Sequence, residues 1–135
     1  MRYVLDTNVV AGLMRGDAPV LARFERAARR AILVPQPVWA ELAYGIERLP
    51  PSKRKQRLDA RARLLREELE SPPWTWEVSR AFGSLKASLE ARGERLDDLD
   101  VAIAAHALAL GAVLVTANVK HLGRIEELVV EDWTT

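Results

Sequence analysis

The chain of 135 residues contains no cysteine, and this absence excludes several kinds of chemistry. Without thiols there is no disulfide framework, no cysteine nucleophile and no thiolate zinc site, and the composition fits a reducing compartment. The sequence also lacks an apolar run of the ~18 residues that a membrane span needs. The acidic residue Asp6 interrupts the region where a signal peptide would be apolar. These absences predict a cytoplasmic protein with no membrane segment.

Charge of one sign is not in excess either. The 20 Lys and Arg residues against 19 Asp and Glu residues give a formal net charge of +1, which does not by itself indicate a polyanionic partner. Arginine supplies 16 of the basic residues and suits bidentate phosphate contacts. A chain of this length can form one hydrophobic core without a disulfide or metal. No repeat or linker divides it, so we expect residues 1–135 to form a single domain.

The apolar segments predict alternating strands and helices. Short runs without polar alternation occur at residues 3–5, 31–34, 112–116 and 128–130, and a further short strand is predicted at residues 74–76. Helical spacing of apolar residues separates most of these runs. Buried strands connected by helices indicate a three-layer α/β/α sandwich around a mostly parallel sheet of four to five strands.

Four side chains with oxygen donors are predicted to meet at one edge of that sheet, because ligands bind beyond the carboxyl ends of parallel strands. Asp6 ends the first strand, Asn118 follows the strand at 112–116, and Glu41 and Asp100 lie in the first turns of two helices. Asp6 could instead be only a helix cap, and Glu41 only a solvated helix residue. Asp100 precedes a long apolar run, where an unpaired carboxylate is costly unless a cation neutralises it.

The two acidic neighbours of Asp100 have simpler interpretations. Asp97 is three residues before Asp100, a spacing that resembles a capping box, and Asp98 is placed to interact favourably with the helix dipole. We therefore assign Asp97 mainly to capping and Asp98 mainly to the dipole.

The segments that contain these residues resemble the four motifs of PIN-domain ribonucleases, in particular the VapC toxins of toxin–antitoxin pairs. The matching segments, in the family's order and spacing, are LDTN at 5–8, WAELAYGI at 39–46, DVAIAAHA at 100–107 and LVTAN at 114–118. The resemblance implies that Asp6, Glu41 and Asp100 are metal ligands and that Asn118 occupies a fourth position, which is often aspartate. It places Thr7 and Thr116 beside the acidic cluster as candidate substrate contacts. It also implies Mg²⁺ or Mn²⁺, a homodimer, an antitoxin that blocks the site, and cleavage products with a 5′-phosphate and a free 3′-hydroxyl.

The residue chemistry agrees with a metal-dependent endoribonuclease. Oxygen ligands without cysteine or a histidine pair favour hard cations that retain several waters. A water made more acidic by the metal could attack a phosphodiester of RNA. We expect Asp6 and Asp100 to be direct ligands, Glu41 to be a ligand or the base that orients the water, and Asn118 to be a neutral or water-mediated ligand.

Basic residues offer several candidate phosphate contacts. Arg15, Lys120 and Arg124 are predicted on loops near the site and are the better candidates. The basic residues at 53–66 could follow an RNA backbone, but such a run is more often a solvated helix face. His106 and His121 are interpreted as packing and loop residues. The four tryptophans are interpreted as core or subunit-interface residues.

Two alternatives to a nuclease remain. A phosphotransfer enzyme of the haloacid-dehalogenase type would need a second aspartate two residues after Asp6, where this chain has Asn8. An interaction module with the same fold and weak catalysis would be expected to have lost acidic ligands, and three are present. The apolar content near Trp39, Tyr44, Phe82 and Leu85 exceeds the needs of one small core, which predicts a homodimer through these helices.

Overall fold

The computed structural model describes residues 1–135 and contains a parallel four-stranded sheet. The strands are β1 (Tyr3–Leu5), β2 (Ile32–Leu33), β3 (Val113–Val115) and β4 (Val130–Glu131), and their order in the sheet is β2-β1-β3-β4. All three strand pairs are parallel, with Val4 aligned to Leu33 on one side and to Leu114 on the other. The predicted α/β sandwich with a four- to five-stranded sheet is therefore confirmed.

Seven helices surround this sheet. They are α1 (Thr7–Arg15), α2 (Ala18–Arg26), α3 (Gln36–Glu47), α4 (Lys53–Glu68), α5 (Trp76–Ala91), α6 (Asp98–Leu110) and α7 (Val119–Leu122). Their apolar faces and the strands form one core of 33 buried residues. The central strands are buried on both faces, which is why their sequences read as continuous apolar runs instead of alternating ones. None of the helices is long and apolar enough to span a membrane.

The predicted strand at residues 74–76 is wrong, because this segment begins a helix. Thr75 is the N-cap of α5, and its hydroxyl accepts a hydrogen bond from the backbone N–H of Val78 at 3.3 Å. The cap outweighs the strand preference of the two tryptophans. The edge of the sheet beside β2 is instead extended by a single bridge between Leu33 and Glu70.

The boundaries of α2 and α6 complete the description of the helices. α2 ends at Arg26, and a short 3₁₀ turn at Arg29–Ala31 precedes β2. Asp97 is the N-cap residue of α6, yet its side chain makes no capping hydrogen bond. Asp98 lies in the first turn of α6, as predicted, and pairs with Lys86 at 3.0 Å.

The aromatic side chains divide into core and surface groups. Trp39 and Leu85 are buried in the core, which agrees with the core interpretation of Trp39, and the homodimer through these helices stays a prediction. Phe82 is partly buried, whereas Tyr44 is 66% exposed and Trp76 is 70% exposed. Of the predicted set of four, Tyr44 is therefore the side chain most accessible to another chain.

Candidate metal centre

Asp6 lies at the carboxyl end of β1 and is almost completely buried, with 4% of its surface exposed. One carboxylate oxygen, Oδ1, accepts a hydrogen bond from the backbone N–H of Thr7 at 2.8 Å. The other oxygen, Oδ2, accepts from the hydroxyl of Thr116 at 2.7 Å and from the amide of Asn8 at 3.3 Å. Asp6 is thus both the N-cap of α1 and part of an acidic cluster. The helix-cap interpretation and the acidic-site interpretation of this residue are therefore compatible.

Glu41 reaches the same place from α3. It is partly buried, and one of its carboxylate oxygens accepts a hydrogen bond from the hydroxyl of Thr7. Thr7 therefore contacts both carboxylates: its backbone N–H contacts Asp6 and its side chain contacts Glu41. The first turn of α1 consequently fixes the two acids relative to each other.

Asp100 completes the cluster from the first turn of α6. Asp6, Glu41 and Asp100 each place one carboxylate oxygen so that the three oxygens lie within 4.8 Å of one another. Burial, followed in order of importance by the nearby charges of Asp6, Glu41 and Asp97, raises the pKa of Asp100 from its ordinary value of 3.8 to about 6. Three carboxylates from distant parts of the chain, predicted to share one edge, are brought together.

The donors around the cluster are neutral. Asp6 and Glu41 accept hydrogen bonds from hydroxyl, amide and backbone groups, and none of the three carboxylates forms an ion pair with Arg, Lys or His. Carboxylates this close repel one another unless a proton or cation lies between them. An all-oxygen donor set of this kind fits a hard divalent cation.

Asn8 is the functional residue that sequence reasoning missed. Its Nδ2 donates to Asp6, and its Oδ1 accepts a hydrogen bond from the backbone N–H of Ala117 at 3.0 Å. The side chain therefore connects the ends of β1 and β3 next to Asp6. An asparagine immediately after a strand-ending aspartate was the available signal, because short amides in turns commonly bond nearby backbone groups.

Thr116 and Asn118 lie at the end of β3. Thr116 has no exposed surface, so its hydroxyl positions Asp6 and is not placed to contact a substrate. The backbone N–H of Asn118 donates to that same hydroxyl oxygen at 3.0 Å. The Oδ1 of Asn118 lies 2.8 Å from Nδ1 of His121, so its amide is engaged beside the cluster.

The three predicted phosphate contacts have different surroundings. Arg15 lines a cleft together with Thr7 and Glu41, and it also pairs with Asp17 at 2.9 Å. Lys120 is exposed on α7. Arg124 pairs with Glu94 at 3.6 Å and donates to the carbonyl of His121 at 3.3 Å. Of the three, Arg15 is the one that shares a cleft with a carboxylate of the cluster.

Comparison with known proteins agrees with this geometry. A family model described as PIN domain matches residues 3–128. "Ribonuclease VapC2" of Rickettsia felis is 32% identical over 135 residues, covering 98% of each chain. "tRNA(fMet)-specific endonuclease VapC" of Shigella flexneri is 25% identical over 135 residues, covering 99% of each.

A solved structure has the same fold over nearly the whole chain. It is the crystal structure of VapBC2 from Rickettsia felis bound to a DNA fragment from their promoter. A chain of that complex superposes with a TM-score of 0.88 at 30% identity, covering 98% of this chain and 99% of its own. Together with the family match and the 32% identity to the first relative, this shows that the chain belongs to the PIN-domain family, within its VapC group.

Proposed function

We propose that this chain is a metal-dependent endoribonuclease that hydrolyses RNA phosphodiesters, and that residues 1–135 form a single nuclease domain. The observation that carries the proposal is the convergence of Asp6, Glu41 and Asp100 without a cationic side chain among them. The VapC relatives are named as a ribonuclease and an endonuclease, which supports the same reaction class. The intact cluster favours an enzyme over an interaction module that has lost catalysis.

The donor set favours Mg²⁺ or Mn²⁺ as the cofactor, with Asp6 and Asp100 as direct ligands. A divalent cation bound there would make a coordinated water more acidic and stabilise charge on the phosphoryl oxygens. Glu41 holds one carboxylate oxygen on Thr7, which leaves the other free to contact the metal or to accept the proton of the attacking water. Attack on phosphorus with loss of the 3′-oxygen gives the 5′-phosphate and 3′-hydroxyl that the family resemblance implies.

Thr116, Asn8 and the backbone of Thr7 act as positioning groups in this mechanism. They donate three hydrogen bonds to Asp6 and so fix the orientation of its buried carboxylate within the cluster. Because each of these donors is neutral, the site retains the negative charge that attracts a cation.

We further propose that the chain is the toxin of a toxin–antitoxin pair. The matched chain of Rickettsia felis belongs to a VapBC complex, which supports an antitoxin partner for this chain. Such a partner would block the site by placing a basic side chain among the carboxylates, since a cation there replaces the charge of the metal. A homodimer and a cytoplasmic location stay predictions. A purely monomeric mass by light scattering at micromolar concentration would contradict the homodimer.

The activity is tested with the purified chain and a labelled single-stranded RNA. Cleavage is expected with Mn²⁺ or Mg²⁺, and EDTA should stop it. Asp6→Asn and Asp100→Asn should lose activity by at least about 100-fold, because each removes an anionic ligand. Asp98→Asn is the matched control, since Asp98 lies in the same helical turn as Asp100 but is exposed and pairs with Lys86. Equal cleavage by wild type and Asp6→Asn would refute the assignment.

A further inference from the structure

A cleft of about 340 Å³ opens beside the acidic cluster, between α1, α3 and the start of α4. Thr7 and Glu41 line one end of it, so the cleft is continuous with the candidate metal centre. Arg15, Arg48 and Arg54 also line this cleft. Apolar side chains, including Met14 and Leu58, complete its wall. Positive charge combined with an apolar wall is the surface character that single-stranded nucleic acid requires.

The beginning of α4 breaks a local rule of helix stability. Its first three residues, Lys53, Arg54 and Lys55, are all basic, and no acidic residue lies in its first turn. The positive end of a helix dipole disfavours cations at this position. Lys55 is compensated, because its Nζ donates to the carbonyls of Glu47 and Leu49 at 3.0 and 3.2 Å. Arg54 is exposed and forms no ion pair within the chain.

An unpaired basic residue at the start of a helix is unfavourable for stability, and such departures are expected mainly at functional sites. Arg54 combines its own charge with the free N–H groups at the start of a 16-residue helix, and both attract an anion. The cleft that Arg54 lines leads to the carboxylates proposed to hold the catalytic metal. A backbone phosphate of RNA in this cleft could bind both the Arg54 guanidinium and the N–H groups at the start of α4.

Arg48 provides a second free cation in the same cleft. It follows the last turn of α3, and its guanidinium carbon lies 5.4 Å from the centre of the Tyr44 ring. The ring restrains the side chain without consuming its hydrogen-bond donors, and Arg48 also forms no ion pair with a carboxylate. Arg15 differs, because its ion pair with Asp17 already accounts for its position.

We propose that this cleft binds the RNA strand next to the scissile phosphate, with Arg48 and Arg54 contacting backbone phosphates and the apolar wall receiving a base or ribose. The inference rests on the proposed nuclease function and names the path of its substrate. RNA suits the cleft because its phosphates are complementary in charge to Arg48 and Arg54 and its bases and riboses suit the apolar wall.

The test measures binding of an eight-nucleotide single-stranded RNA of mixed sequence by fluorescence anisotropy. The full-length chain is used in EDTA, so that binding is separated from cleavage. The slope of log K against log salt concentration counts phosphate contacts, at about 0.7 per contact for single strands. Arg48→Ala and Arg54→Ala should each reduce the slope by about 0.7. Arg54→Lys should restore it, because the slope depends on charge.

Arg63→Ala is the matched control. Arg63 is also an exposed arginine of α4 without an ion pair, but it lines a separate shallow pocket with Gln56 and Asp59. An unchanged slope for Arg63→Ala, with reduced slopes for the two cleft variants, supports the proposal. Equal reductions at all three positions would indicate diffuse attraction and overturn it. Unchanged slopes for the cleft variants would overturn it as well.

The outcomes also separate this inference from the proposed function. Reduced slopes for the cleft variants together with no metal-dependent cleavage would refute the nuclease and leave the RNA cleft in place. Metal-dependent cleavage with unchanged slopes would support the nuclease and refute the RNA cleft. When cleavage is measured, Arg48→Ala and Arg54→Ala should raise KM several-fold and change kcat little, because neither residue belongs to the acidic cluster.

Discussion

Asp100 destabilises the metal-free fold, and a single substitution should relieve this effect. Burial, followed by the charges of Asp6, Glu41 and Asp97, raises its pKa from 3.8 to about 6. The folded chain therefore binds this proton more tightly than the unfolded chain does. By linkage, the contribution of Asp100 to stability falls as pH rises from about 4 to about 6 and stays low above that range. At pH 7.5 Asp100 is ionised, and its burial and the charges around it lower the free energy of unfolding by the full amount.

The size of the effect follows from the pKa shift. A shift from 3.8 to about 6 corresponds to about 3 kcal/mol at 1.36 kcal/mol per pKa unit. Asp100 is partly exposed, so solvent screening reduces this to roughly 1–2 kcal/mol. Asp100→Asn keeps the shape of the side chain and removes its charge. In the absence of metal at pH 7.5, we expect the variant to melt about 5 °C above wild type.

The assay is thermal unfolding of both proteins in EDTA, at pH 7.5 and at pH 4. The difference should be present at pH 7.5 and nearly vanish at pH 4, where both proteins carry an uncharged side chain at this position. Added Mn²⁺ should then raise the melting temperature of wild type more than that of Asp100→Asn, because the metal binds the folded state. Asp98→Asn should show neither effect. A lower melting temperature for Asp100→Asn in EDTA would refute the reasoning and indicate a structural role for Asp100.

Two further predictions concern residues around the core of the site. Asn8→Ala removes the hydrogen bonds to Asp6 and to the N–H of Ala117. The affinity for Mn²⁺, measured by calorimetry, should therefore fall about 10-fold. An unchanged affinity would contradict the positioning role of Asn8. His106 is buried, its ring nitrogens lack hydrogen-bond partners, and burial lowers its pKa. His106→Leu should therefore stabilise the fold more at pH 5 than at pH 7.5 in urea unfolding, and an equal gain at both pH values would count against this explanation.

The sequence identified the sheet because its strands are buried on both faces. Val113–Val115 and Tyr3–Leu5 are continuous apolar runs followed by turn-forming residues, a pattern that depends on local chemistry alone. Residues 74–76 show the limit of that reasoning. Two tryptophans favour a strand, but the Thr75 cap and the packing of α5 on α6 decide for a helix. Propensity is a weak predictor where a cap and tertiary packing compete with it.

The tryptophan at position 39 shows which contacts of a core residue the sequence does not reveal. Its indole N–H donates to the hydroxyl of Ser71 at 2.8 Å, and the ring is buried between elements that are distant in sequence. A contact over 32 residues cannot be inferred from helical spacing. The acidic cluster was predictable because the ends of parallel strands share an edge, whereas the hydrogen bonds of Thr116 and Asn8 depend on side-chain directions.

Asn118 is the position where sequence and structure leave the sharpest experimental question. The resemblance places it at a fourth, often acidic, ligand position, and the structure places its backbone N–H on Thr116 and its Oδ1 against His121. An amide adds no negative charge, so a metal bound near it should be held more weakly than by four carboxylates. We therefore expect Asn118→Asp to tighten Mn²⁺ binding by about 10-fold and Asn118→Ala to reduce cleavage less than Asp6→Ala does. Calorimetric titration of Mn²⁺ at fixed pH and salt measures the first effect. If Asn118→Asp binds Mn²⁺ no more tightly, the side chain lies outside the metal's coordination sphere and serves to hold His121 and the start of α7.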